Sequence, residues 1–199
     1  MKPALLVMDF ENDIVHEKGK IGAQGYAQFL KEHGTFERVQ SLIRKAREKD
    51  VPIVFVMVGF SKDYREWSPV PRAFQGAKEA GLVTLGTWGT EFHEKIDVQA
   101  KDFVVVKHRI SPFYGTDLEV ILRTLGIDTL YLAGVSTNYV VQSMAREAHD
   151  RDFHVVIVAD CCGASNVEEH EHALATLQHL AMMKKEVQVA FTPGDLESK

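Results

Sequence analysis

Six short apolar runs recur along the chain, separated by helix-length segments. They are ALLVMDF (4–10), VPIVFVMV (51–58), DFVVVKH (102–108), DTLYLAGV (128–135), FHVVIVAD (153–160) and EVQVA (186–190). All are rich in Val, Ile or Leu and mostly continuous rather than alternating, the pattern of strands buried on both faces. Between them lie amphipathic segments. FERVQSLIRKAREKD (36–50) places Val39, Leu42, Ile43 and Ala46 on one face. TDLEVILRTLG (116–126) opens on Thr116, with Glu119 three residues on in a capping-box pattern, and closes on Gly126. NYVVQSMAREAHDRD (138–152) and NVEEHEHALATLQHLAMM (166–183) complete the set. This alternation predicts an α/β fold with a mainly parallel sheet and helices on both of its faces. Strand order is not readable from such a pattern.

Residues 59–100 break the rhythm. They hold both tryptophans, Trp67 and Trp88, in a connection long enough to suggest a functional reason. The 199 residues suit one well-buried domain over 1–199, without internal repeat or linker. A net charge of −5 argues against a nucleic-acid partner, which calls for a basic face. The two cysteines, Cys161 and Cys162, are adjacent, which argues against a disulfide-stapled secreted fold. The opening MKPALLVMDF is too short an apolar run for a signal peptide, and no stretch is long enough to span a membrane. The expectation is a soluble cytoplasmic protein.

Parallel strands gather their carboxyl ends along one edge of the sheet, where ligands bind. The polar residues closing the apolar runs are therefore the candidates for chemistry: Asp9 on the first, Lys107 on the third, GVSTN (134–138) after the fourth and Asp160 on the fifth. An ionisable group at the rim of an apolar core has an easily shifted pKa, which suits acid–base work. Asp9 and Lys107, on separate strands, also fit a structural ion pair.

Here the residues acquire a likeness. LLVMDFENDIV (5–15) resembles the first-strand motif of the isochorismatase-like hydrolases. The stretch from VVKHRISPFYGTDLEV through GVSTNYVVQSMAREAHD to ADCCGASNVEEHEHAL resembles the rest of that family's core, almost without gaps. The resemblance implies a three-layer α/β/α domain with a six-stranded parallel sheet. It also implies a triad of Asp, Lys and Cys, carried here by Asp9, by Lys107 and by the position of Val140. A non-proline cis peptide is usual in the family's turn, and the resemblance implies one at Val135–Ser136.

Val140 removes the acyl-enzyme route at that position, because a valine side chain has no lone pair and cannot ionise. The family branch that cleaves a vinyl ether works without the thiol, by protonation from the aspartate, but it carries a glycine where this chain has valine. Cys161 and Cys162 read as small buried hydrophobes. Ser136 and Thr137 read as turn and cap hydroxyls. Many members carry Gln two residues after the aspartate, and here it is Glu11. Either this extra carboxylate raises the upper pKa of a pair with Asp9, or it points to solvent. The family's nicotinamidases bind a metal through Asp and His residues after the second strand. The stretch GFSKDYREWSPV (59–70) has no histidine, and His170 and His172 read as a solvated helix face, so neither metal nor cofactor is expected.

The implied activity is hydrolysis of a small polar or carboxylate-bearing molecule by Asp9, Lys107 and water. Arg65 or Arg72 is a candidate anion holder, and Trp67, Trp88 and Tyr114 are candidate pocket walls. Two alternatives stand beside it: a non-catalytic binding or regulatory protein that keeps the pocket, and an amidase with a relocated nucleophile. The family also implies a homo-oligomer.

Overall fold

A computed structural model describes residues 1–197. In chain order its main elements are β1 (Pro3–Met8), α1 (Asn12–Val15), α2 (Tyr26–Glu32), α3 (Thr35–Glu48), β2 (Ile53–Val58), α4 (Ala77–Ala80) and β3 (Phe103–Lys107). There follow α5 (Leu118–Thr124), β4 (Thr129–Val135), a π-helical turn (Thr137–Val141), α6 (Gln142–His149), β5 (His154–Gly163), α7 (Val167–Leu177) and β6 (Met182–Lys184). All six strands are parallel, in the order β3-β2-β1-β4-β5-β6.

The continuous apolar runs pack both faces of this sheet. Along β1, Leu5 and Val7 enter one core with Val39, Leu42, Ile43 and Ala46 of α3. Ala4, Leu6 and Met8 enter the other, with Leu118 and Leu122 of α5 and Met144, Ala145 and Ala148 of α6. Every one of these side chains is essentially buried, and burial of each larger aliphatic contributes on the order of 1.5–3 kcal/mol.

Three local expectations need correction. The sixth strand is Met182–Lys184, not 186–190. Glu186–Gln188 forms a 3₁₀ turn instead, with Val187 exposed and Glu186 held by Lys45 at 2.6 Å. The last helix correspondingly ends at Leu177. Finally, Thr116 does not cap α5 with Glu119. Asp117 takes the N-cap position, the Leu118 N–H donates to Thr116 Oγ1 at 3.2 Å, and the Glu119 carboxylate turns to Arg151.

From β1 the chain proceeds outward to β2 and β3, and from β4 outward to β5 and β6. The order therefore reverses between β1 and β4, and the crevice beyond their carboxyl ends is where an open α/β sheet receives ligands.

Candidate active site

Asp9 directly follows β1 and sits in the left-handed region, φ 57°, turning the chain out of the sheet while its N–H still donates to the Val56 carbonyl at 2.8 Å. Aspartate tolerates that conformation better than most residues. Lys107 ends β3 and reaches across the end of β2. Its Nζ stands 2.8 Å from Asp9 Oδ2 and donates to the Arg109 carbonyl at 3.1 Å. Both residues are buried, Asp9 at 6% and Lys107 at 2% exposure. Burial raises the Asp9 carboxyl above its ordinary value, against the lowering effects of the Lys107 charge and hydrogen bond.

Glu11 does not point to solvent. It is 0% exposed, and its Oε1 accepts from the Val58 N–H at 3.0 Å. Burial first, and then the charge of Asp9, push its carboxyl well above the ordinary range.

The opposite wall comes from the turn after β4. The Val135–Ser136 peptide bond is cis. The Ser136 carbonyl accepts from Tyr139 N–H at 3.2 Å and Val141 N–H at 3.3 Å, which winds the next residues into the π-helical turn and buries Val140. Thr137 anchors the turn from behind. Its hydroxyl donates to the Gly163 carbonyl at 3.0 Å, leaving a lone pair to accept from Nδ1–H of His170 at 2.8 Å. His170 is thus part of the packing, not a solvated face. Burial, aided by His33, pushes its pKa down to about 4.

These pieces enclose a cavity of about 300 Å³. Asp9 and Lys107 line it together with Val135, Ser136, Val140, Tyr26, Tyr139, Phe74 and Ile110, and the remaining wall is mostly aliphatic. The structure thus brings Asp9, Lys107, Val135, Ser136 and Val140 to one place, with Glu11 behind them. The other wall candidates lie elsewhere. Trp88 is 43% exposed and meets His16 edge-on, and Tyr114 is 68% exposed. Trp67 packs inward and donates to the Phe74 carbonyl at 2.7 Å, so it supports the wall without forming it. Arg65 pairs with Asp63, and Arg72 is exposed outside the lining. Asp160 pairs with Arg38 at 3.2 Å and accepts from the Glu186 N–H.

Sequence reasoning missed Tyr26, Tyr139, Phe74 and Ile110. Of these, only Tyr139 adjoins a motif that could have marked it. Among the described residues, no group of three or more His, Cys, Asp or Glu side chains is placed to hold a metal ion, and no helix is long and apolar enough to cross a membrane.

Residues 3–186 match the family model described as the isochorismatase domain. The chain belongs to the isochorismatase family. Over 175 residues it is 42% identical to the isochorismatase family protein YwoC of Bacillus subtilis (strain 168), covering 87% of this chain and 84% of that protein. An isochorismatase-like hydrolase from Alkaliphilus metalliredigens superposes with a TM-score of 0.79 at 28% identity, over 94% of this chain and 97% of that one. N-carbamoylsarcosine amidase from Thermoplasma acidophilum superposes with a TM-score of 0.74 at 27% identity, over 95% and 99% respectively. Within an isochorismatase-family fold, then, this chain sets an aspartate–lysine pair against a wall that contains no sulfur: both cysteines lie outside the cavity lining.

Proposed function

We propose that this chain is a hydrolase that dispenses with a cysteine nucleophile, Val140 standing where the family's thiol would, and that Asp9 moves the proton while water attacks. The observation carrying this reading is the buried Asp9–Lys107 pair, 2.8 Å apart, in the lining of the cavity. Asp9 Oδ1 has no hydrogen-bond partner among the described residues, so a proton can be taken up there. A carboxyl whose pKa is raised by burial is a stronger base than one in water.

The chemistry then balances as follows. Water gives a proton to Asp9 and its oxygen bonds to the substrate carbonyl carbon, forming a tetrahedral oxyanion. Neutralising Asp9 leaves the Lys107 charge unopposed, so it stabilises that oxyanion. On collapse the bond to the leaving nitrogen or oxygen breaks, and Asp9 returns the proton to it.

The lining also bears on substrate class. Asp9 and Lys107 supply the one carboxyl and the one ammonium among the described residues of the lining, and they neutralise one another. With Arg65 and Arg72 elsewhere and Lys107 paired to Asp9, no unpaired cation among the described lining residues receives a carboxylate-bearing substrate. A small neutral molecule with an apolar body, bonding to Ser136 and the tyrosine hydroxyls, fits better. The test is hydrolysis of a panel of neutral carboxamides, N-carbamoyl compounds and esters, with Asp9→Asn as control. Turnover that Asp9→Asn loses supports the reading. Equal turnover by both proteins overturns it. Binding by both with no turnover by either transfers support to a non-catalytic binding protein, a reading favoured by the inert Val140 wall.

A further inference from the structure

We propose that Glu11 is a positioning residue for Asp9: it keeps the single proton retained by this buried group of two carboxyls and one ammonium, and thereby reserves the charge of Lys107 for the reaction. The inference rests on the hydrolase reading of the Asp9–Lys107 pair.

The placement of Glu11 is fixed by its neighbours. Its backbone forms an isolated antiparallel bridge with Phe92, and its Oε1 accepts from the Val58 N–H at the end of β2. The side chain is therefore tucked against the strand ends, outside the cavity lining. Its Oε2, like Asp9 Oδ1, has no partner among the described residues. The charged groups that bear on it are Asp9, two residues before it in the turn after β1, and Lys107, from β3.

All three side chains are shut away from water, with exposures of 6%, 0% and 2% for Asp9, Glu11 and Lys107. Two ionised carboxylates against one ammonium would leave a net negative charge in a medium that solvates it poorly, so one proton stays. The geometry decides where. Asp9 has the Lys107 ammonium at 2.8 Å, whereas Glu11 has a single backbone N–H. The ion pair keeps Asp9 ionised, and the proton resides on Glu11. The direction of the Glu11 pKa, well above its ordinary value, agrees.

The consequence concerns Lys107. If Glu11 were ionised, protonating Asp9 would merely hand the lysine to a second carboxylate. With Glu11 neutral, protonating Asp9 frees a buried positive charge at the moment an oxyanion forms. Glu11 thus sets the alkaline limit of the site without touching substrate.

Carboxyl ¹³C NMR of protein labelled at Asp and Glu side chains tests this directly. One glutamate resonance, absent from Glu11→Gln, is expected to titrate well above 4.5, the ordinary value. In Asp9→Asn the same resonance is expected to fall by about 1–3 units, because Glu11 loses a like charge and gains the lysine as its partner. The pH profile of turnover supplies a second readout, in which Glu11→Gln moves or abolishes the alkaline limb while preserving a side-chain acceptor for Val58. A Glu11 resonance titrating near 4.5, a midpoint unmoved by Asp9→Asn, or superimposable alkaline limbs would overturn the proposal. The titration needs no substrate, so it decides on Glu11 whether or not turnover is found.

Discussion

Lys107 ends β3 and Asp9 follows β1, with β2 lying between those strands, yet Nζ and Oδ2 stand 2.8 Å apart. A lysine spans that gap because its long stem crosses the end of β2 within the core. The arrangement makes a stability prediction. Lys107→Met is expected to cost about 3–5 kcal/mol at neutral pH, the range for removing one partner of a buried pair. The loss should shrink as pH falls. Buried carboxyls without a cation have folded-state pKa values above their unfolded ones, so the folded protein takes up protons first and their unfavourable effect disappears in acid. Urea unfolding of both proteins at about pH 5 and pH 7.5 measures the gap, and an equal gap at both would count against this account.

The cysteines are expected to be inert in the native protein. Cys161 and Cys162 are buried, and burial, the first cause for each, raises both thiols, that of Cys162 to about 12. Thiolate is the reactive form. Iodoacetamide near neutral pH should therefore leave the folded protein unmodified by mass spectrometry and label both residues only in denaturant.

Val140→Cys should behave differently. Cysteine is slightly smaller than valine, so the cost in stability is expected to stay below about 1.5 kcal/mol, as for removal of one buried methyl group. The new sulfur shares its cavity with Lys107 and lies near the start of the helical run that continues into α6, both of which favour a thiolate. Alkylation at residue 140 should outpace that at Cys161 and Cys162, with a midpoint below the free-cysteine value of ~8.5. A midpoint at or above that value would count against the proposal that position 140 is a nucleophile position.

His170 predicts an acid limb in stability. Its pKa in the fold is about 4 against an ordinary 6.5. Between those values the unfolded chain binds a proton that the folded chain does not, so stability is full above pH 6.5 and declines as pH falls toward 4. His170→Gln keeps a donor for Thr137 and removes the titration. Thermal midpoints at pH 4.5 and pH 7 should therefore differ less in His170→Gln than in the wild type; an identical difference would remove His170 from the acid limb.

Five of the six strands were legible because their residues are apolar on both faces, the pattern of a doubly covered sheet, although Phe103 and Val104 at the start of the edge strand β3 are exposed. The sixth was not. β6 has three half-buried residues at the sheet edge, so Met182, Met183 and Lys184 carry too little pattern to separate them from the helix before them. At the site, Asp9 and Lys107 were visible as ionisable residues closing apolar runs. The side-chain direction of Glu11 was not, since it is set by the Val58 N–H, 47 residues away in sequence. The aromatic walls failed for a related reason: Tyr26 and Phe74 reach the cavity through the packing of distant segments, and Trp88 and Tyr114 offered nothing in their spacing to show that they would face outward.

The left-handed backbone at Asp9 divides the site into a part that can drift and a part that cannot. At φ 57°, position 9 admits Asp, Asn or Gly with little strain and resists β-branched or bulky residues, so even its shape is tied to its chemistry. Position 140 lies in the π-helical turn and is not among the positions with positive φ, so its backbone sets no such limit on the side chain it carries. On the proposed reading, a lineage built on this scaffold could exchange the side chain at position 140 by a single substitution that leaves the chain path alone. Replacing Asp9, the proposed proton carrier, by a bulkier acid would require rebuilding the turn that presents it.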